Sequence, residues 1–108
     1  MAEQLLQINF ALNVSPAEYK TLAAGVAEAF AHVPGLRWKV WFLDDATREA
    51  GGIYLFEDEQ ALNTFLASDL GKVVGTHPAF RGATLKHSAV MPEVTAITRG
   101  PVGAAVGV

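Results

Sequence analysis

Two tryptophans, a tyrosine and a glycine pair fall on what read as two adjacent strands. The first is Pro34-Gly35-Leu36-Arg37-Trp38-Lys39-Val40-Trp41, and the second is Glu49-Ala50-Gly51-Gly52-Ile53-Tyr54-Leu55-Phe56. Trp38 and Trp41 can wall a flat apolar pocket. Tyr54 and Asn9 can hydrogen-bond a ligand held there, and Phe65 is a further apolar wall. Gly51-Gly52 leaves room where side chains would otherwise pack. His77 and His87 are the candidate proton acceptors, because histidine changes charge near neutral pH. Together these residues could bind and deprotonate an aromatic-sized ligand. Their other use is a sheet core that packs against a second copy of the chain. No pair among them has a spacing that dictates chemistry. Trp38 and Trp41 point to opposite strand faces, so at most one lines any single pocket directly.

The remaining polar candidates have plainer readings. His87 alternates with Leu85, Ala89 and Met91, which suits a hydrogen-bonded structural residue. His77 precedes Pro78 in an expected loop, where it could stand at a pocket mouth. His32 ends a helix, where a cation suits the dipole. Arg37, Lys39 and Lys86 read as solvated or paired at the sheet surface. Three scattered histidines and no cysteine leave no metal ligand set. Gly51-Gly52 lacks the lysine and serine of a phosphate loop.

The composition bounds the possibilities. A chain of 108 residues makes one domain with one modest core. A hydrophobic fraction of 51% leans toward extra buried surface and an oligomer. The net charge of −3 gives no electrostatic footprint for nucleic acid. No apolar run reaches the roughly 20 residues of a membrane span. Met1-Ala2-Glu3-Gln4 lacks the features of a signal peptide, so a cytoplasmic protein is the expectation.

Six elements must position these residues. Leu6, Ile8, Phe10 and Leu12 alternate with Leu5, Gln7, Asn9 and Ala11, which predicts a first strand. Ser15-Pro16-Ala17-Glu18 starts a helix, with Ser15 as cap and Glu18 closing a capping box. Tyr19, Leu22, Ala23, Val26, Ala27 and Phe30 form its apolar stripe. Leu36 to Leu43 is the tryptophan strand, and Asp44-Asp45-Ala46-Thr47 turns it into a strand from Glu49 to Phe56. Asp58 caps a second helix with the stripe Ala61, Leu62, Phe65 and Leu66. Leu70 to Gly75 adds a helical turn, and Gly82 to Met91 forms a fourth strand ended by Pro92. Residues 1–98 then form the domain and 99–108 a flexible tail.

The order β-α-β-β-α-β predicts an α+β fold of the ferredoxin-like plan, with both helices on one face of a four-stranded antiparallel sheet. The other face is left uncovered. It is expected to carry several of Leu5, Trp38 or Trp41, Leu43, Leu55 or Tyr54, and Val90. An apolar face of that size marks an interaction site, and a two-fold homodimer is the simplest occupant.

Leu5-Leu6-Gln7-Ile8-Asn9-Phe10 and the two strand blocks quoted above resemble the YdhR-type mono-oxygenase family, within the dimeric α+β barrel superfamily. The resemblance runs from about Leu5 to about Thr98. It implies a ferredoxin-like subunit in a barrel-like dimer, and oxygenation of a small aromatic or polyketide-like compound without a cofactor. In that chemistry His77 or His87 would act as base, Tyr54 and Asn9 as hydrogen-bonding groups, and the tryptophans as walls. The wider superfamily implies three alternatives. His77-Pro78-Ala79-Phe80 resembles the His-Pro-x-His segment of some cyclases and isomerases, but Phe80 replaces their base. Haem-degrading members use an asparagine, a tryptophan and a histidine; Asn9 matches the first, Phe65 replaces the second and His77 falls late. A dimeric ligand-binding protein without catalysis is the third.

Overall fold

The computed structural model describes residues 2–103. Eight elements follow one another: β1 (Gln4–Leu12), α1 (Pro16–Ala31), β2 (Leu36–Asp44), β3 (Glu49–Phe56), α2 (Glu59–Ala67), α3 (Asp69–Thr76), β4 (Phe80–Ala89) and α4 (Pro92–Ile97). The four strands form one antiparallel sheet in the order β2-β3-β1-β4. This is the ferredoxin-like arrangement that the element order predicts.

Local chemistry sets the boundaries. The Ser15 hydroxyl accepts from the Glu18 backbone N–H at 3.1 Å and donates to Glu18 Oε1 at 3.2 Å. Glu18 therefore closes the cap on the serine hydroxyl rather than on its backbone. Asp58 caps α2 by accepting from the Ala61 N–H at 2.8 Å. Ser68 separates α2 from α3: its extended backbone breaks the helix and its hydroxyl caps the next one through the Gly71 N–H. At Pro34-Gly35 the chain leaves α1 for β2, and Gly35 takes a φ of 77° that a side chain would resist. In the β2–β3 turn Asp44 Oδ1 accepts from the N–H groups of Ala46 and Thr47.

The core lies between the sheet and the helices. Leu6, Ile8, Phe10 and Leu12 of β1 meet Ala50, Tyr54 and Phe56 of β3, Tyr19 and Phe30 of α1, and Leu62 and Phe65 of α2. Fully burying one such side chain contributes about 1.5–3 kcal/mol, so this layer dominates the folding energy.

Three expectations need correction. Leu43 faces the helices rather than the open side, because its partner Ala50 shares that face; of the paired alternatives, Trp38 and Leu55 take the open side, and Trp41 and Tyr54 face the helices. A bulge between Leu36 and Trp38 breaks the expected alternation, so Leu36 packs on the helix-side core although Trp38 looks away from it. The fourth strand starts at Phe80, and α4 follows it because Pro92 occupies a first-turn helix position, where its missing N–H costs nothing.

The opposite sheet face carries Leu5, Asn9, Trp38, Val40, Phe42, Ile53 and Leu55. Part of it is covered by the segment after α4. Trp38 Nε1 donates to the Pro101 carbonyl at 2.8 Å, and the Gly103 N–H donates to Glu3 Oε1 at 2.8 Å. The other carboxylate oxygen of Glu3 pairs with Arg37 Nε at 3.1 Å. Val102 and Leu55 are both buried. Residues 99–103 of the expected tail are placed in this way, and 104–108 lie outside the described residues. No helix among the described residues is long and apolar enough to cross a membrane.

The glycine pair has two separate steric roles. A Cβ on Gly51 would strike the Ile8 carbonyl of β1 and lie 2.8 Å from Phe42 Cζ. A Cβ on Gly52 would meet only the flexible Lys39 Cε, at 2.7 Å, and the Tyr54 ring. Gly51→Ala is therefore expected to cost about 1–3 kcal/mol in urea unfolding, because backbone must move. Gly52→Ala is expected to cost less, since a side-chain tip can yield. Equal losses for the two would contradict this assignment.

Candidate active site

An apolar pocket opens between α1 and α3 over the helix-side face of the sheet. Its cavity is about 100 Å³, smaller than most small-molecule sites, and it opens to solvent at its mouth. Aromatic side chains wall it at two ends. At one end Phe10 stacks on Phe80 with centroids 4.2 Å apart, and Tyr19 meets both edge-on. At the other end Phe30 meets Trp41 edge-on at 5.3 Å, with Tyr54 beside them. Leu22 and Val26 of α1 and Leu70, Val73 and Val74 of α3 complete the sides.

The pocket has four titratable groups in its lining: Lys39, His77, Tyr19 and Tyr54. Lys39 points inward from β2, on the same strand face as Trp41. Its Nζ lies 3.4 Å from the Trp41 ring centroid, 3.5 Å from that of Phe30 and 4.6 Å from that of Tyr54. Gly52 makes this possible, because any side chain there would occupy the path of the lysine stem. Burial pushes the Lys39 ammonium down to about 7. The three ring faces act the other way, since their quadrupoles attract the charged form. Lys39 is thus a nitrogen that can hold or release a proton near neutral pH. The surface role expected for it does not hold.

His77 sits at the rim, on a turn fixed by Asn13. The Asn13 backbone N–H donates to the Ala79 carbonyl at 2.7 Å, and its side-chain amide to the Pro78 carbonyl at 3.0 Å. His77 Nδ1 accepts from the Ala79 N–H at 3.0 Å. The neutral ring therefore carries its proton on Nε2, and that nitrogen is a donor. Burial pushes both phenols up, and for Tyr54 the neighbouring Tyr19 adds to the effect. Both tyrosines stay protonated at neutral pH and can donate hydrogen bonds.

Of the sequence candidates, the pocket brings together His77, Tyr54 and Trp41. Phe65 lies behind Tyr54, with ring centroids 5.5 Å apart, and supports the wall from within the core. Asn9 is on the opposite sheet face and accepts from Gln7 Nε2. Trp38 is on that face too, held by Pro101. His87 is exposed on β4, outside the pocket. The asparagine, helix position and histidine of a haem site therefore do not converge here. Among the described residues no group of three His, Asp or Glu side chains could hold a metal ion.

Lys39 has a measurable consequence for stability. Between pH 7 and its ordinary value of 10.5, the unfolded chain keeps a proton that the folded chain has released. The contribution of this group to stability therefore rises with pH across that window. Above pH 10 the two tyrosines oppose it, because only the unfolded phenols then ionise. Lys39→Met is expected to stabilise the fold at pH 7 by on the order of 1–2 kcal/mol and to flatten the rise up to pH 9.5. Urea titrations at four pH values check it; a variant as pH-dependent as the parent would contradict it.

Comparison with known proteins matches this architecture. SnoaB, a cofactor-independent oxygenase from Streptomyces nogalater, superposes with a TM-score of 0.63 at 22% identity, covering 86% of this chain and 100% of that one. A monooxygenase from the gene ActVA-Orf6 of Streptomyces coelicolor, solved with nanaomycin D, gives 0.61 at 16% identity, covering 82% and 88%. A dimeric ferredoxin-like protein of unknown function from Thermobifida fusca gives 0.65 at 12% identity, covering 83% and 93%. At these identities the likeness is one of fold. No curated protein matches the sequence. The family described as "Putative mono-oxygenase ydhR" matches residues 5–101, nearly the whole chain, and the protein belongs to that family.

Proposed function

We propose that the protein is a cofactor-independent oxygenase acting on a small aromatic or polyketide-like compound held between α1 and α3. The pocket carries this reading: an apolar hollow with aromatic walls at both ends and with Tyr19, Tyr54, His77 and Lys39 in its lining. The family membership supports it, as do the oxygenases that share the fold.

The chemistry draws its electrons from the substrate. Loss of a proton from a ring methylene beside a carbonyl leaves an electron-rich enolate that can reduce dioxygen. Oxidation of the methylene to a carbonyl takes up one oxygen atom, and the other leaves as water. Tyr54 and the Nε2–H of His77 are the groups proposed to stabilise the developing oxyanion. Trp41 and Phe30 hold the ring plane, with Phe65 supporting the wall behind Tyr54. Water exclusion strengthens each of these interactions.

Oxygen uptake with a panel of anthrones and hydroquinones tests the reading. Tyr54→Phe and His77→Ala are each expected to lower turnover by about tenfold or more. His87→Ala and Trp38→Phe, outside the pocket, are expected to leave it nearly unchanged. Full turnover in both pocket variants would overturn the assignment of donors. Binding of the panel without oxygen uptake would favour the non-catalytic ligand-binding reading.

We also infer a homodimer through the sheet face that the helices leave open. Val40 is 54% exposed and Leu5 38% exposed on that face, and a dimeric neighbour shares the fold. Val40→Asp is expected to weaken self-association by tenfold or more in light scattering at low micromolar concentration, and to leave the fold intact. Leu43→Asp should instead destabilise the subunit, because Leu43 packs on the core. A Val40→Asp protein that stays dimeric would count against this interface.

A further inference from the structure

Among the described residues Lys39 is a cation without a carboxylate partner, held in an apolar hollow. The ion pair found among the described residues, Arg37 with Glu3, lies at the other face of the sheet. The other titratable groups in the pocket lining are the neutral phenols of Tyr54 from β3, whose ring lies beside Nζ, and Tyr19 from α1, and His77 beyond α3; no carboxylate lines the pocket. Rings cover the nitrogen on the Phe30, Trp41 and Tyr54 sides. An inward lysine on an edge strand can also serve to discourage edge pairing. That role requires neither the surrounding rings nor a cleared path over Gly52. The arrangement has positive charge, low dielectric and no internal anion to satisfy it. Such a site gains most from a ligand that supplies one negative charge among aromatic carbons.

We propose that the Lys39 cage is an anion subsite, which selects aromatic ligands bearing an ionisable hydroxyl, a phenol or an enol, and holds them as the anion. A neutral lysine takes the proton: the ligand O–H bond breaks, the proton passes to Nζ, and the ammonium stays as counter-ion to the oxyanion. A ligand that arrives ionised meets the ammonium form directly. Burial brings the amine near neutrality, so both routes are open at physiological pH. The inference rests on the aromatic-pocket reading above but not on oxygen chemistry.

The spectral test is anaerobic and reads charge rather than turnover; oxygen consumption is measured separately, in air. The probes are 4-nitrophenol and 4-nitro-1-naphthol, whose anions alone absorb strongly in the visible and whose acidities lie near neutrality. Bound to the parent protein, at least one is expected to keep its anion band to a pH about one unit lower than in free solution, a tenfold shift in the ionised-to-neutral ratio. Lys39→Met, which keeps the stem volume without the charge, is expected to abolish that shift. Lys39→Arg is expected to keep it, because the cation remains, yet to lose the uptake of a proton from a neutral ligand, read as oxygen consumption with an anthrone. Gly52→Ala, which crowds the lysine Cε, gives a second route if Lys39→Met fails to fold; it is expected to reduce the shift. An unshifted band for both probes in the parent, or an equal shift in Lys39→Met, would overturn the proposal. A shift without oxygen uptake by any compound would leave the anion subsite standing and remove the oxygenase reading. Oxygen uptake without a shift would do the reverse.

Discussion

The hollow over Gly52 is the constraint on which the site depends. β3 is an interior strand, and a side chain at that position would fill the space beneath α1. Without one, the stem of Lys39 can run across the sheet instead of out to solvent. Its ammonium then comes to rest among Phe30, Trp41 and Tyr54. A charge placed there is expensive unless something compensates it, and ring quadrupoles compensate only part. The cost is held in place by the buried aromatic core below it. A site of this kind is a weak point in the fold and a strong point for binding.

The surrounding elements keep that hollow open. Ser68 ends α2 and caps α3, and α3 packs on α2 and β4. The Asn13 contacts then hold the 77–80 turn, which brings Phe80 onto Phe10 and His77 to the rim. Close packing across α1 and α3 would have stabilised the subunit more. The fold instead leaves a hollow with aromatic walls. Structure departs from maximal burial where function is expected to sit.

Much of the architecture was legible in the sequence because it follows from period and punctuation. The alternation of Leu6, Ile8, Phe10 and Leu12 placed β1 and its buried face. Ser15 and Asp58 marked helix starts by the same hydrogen bonds that the structure shows. What was not legible depended on pairing. Alternation within β2 says that Trp38 and Trp41 diverge; only the register Trp41 to Gly52 says which of them faces the helices. The bulge after Leu36 is likewise invisible without a partner strand. Lys39 was misread for the same reason. It shares a face with Trp41, but a lone lysine on an edge strand usually reaches water. The register with the double glycine is the signal that it does not. Asn9 fell on the face away from the pocket because it sits one residue from Ile8 and Phe10, which face the core.

The protonation state of the Lys39 nitrogen decides what this site can do. A carbon-13 and nitrogen-15 NMR titration of Lys39, assigned by comparison with Lys39→Met, measures it directly. A midpoint near 7, with ring-current shifts on the Cε signals, is the expected result. A midpoint at the ordinary lysine value, with unshifted Cε signals, would show a solvated side chain and contradict the site described above.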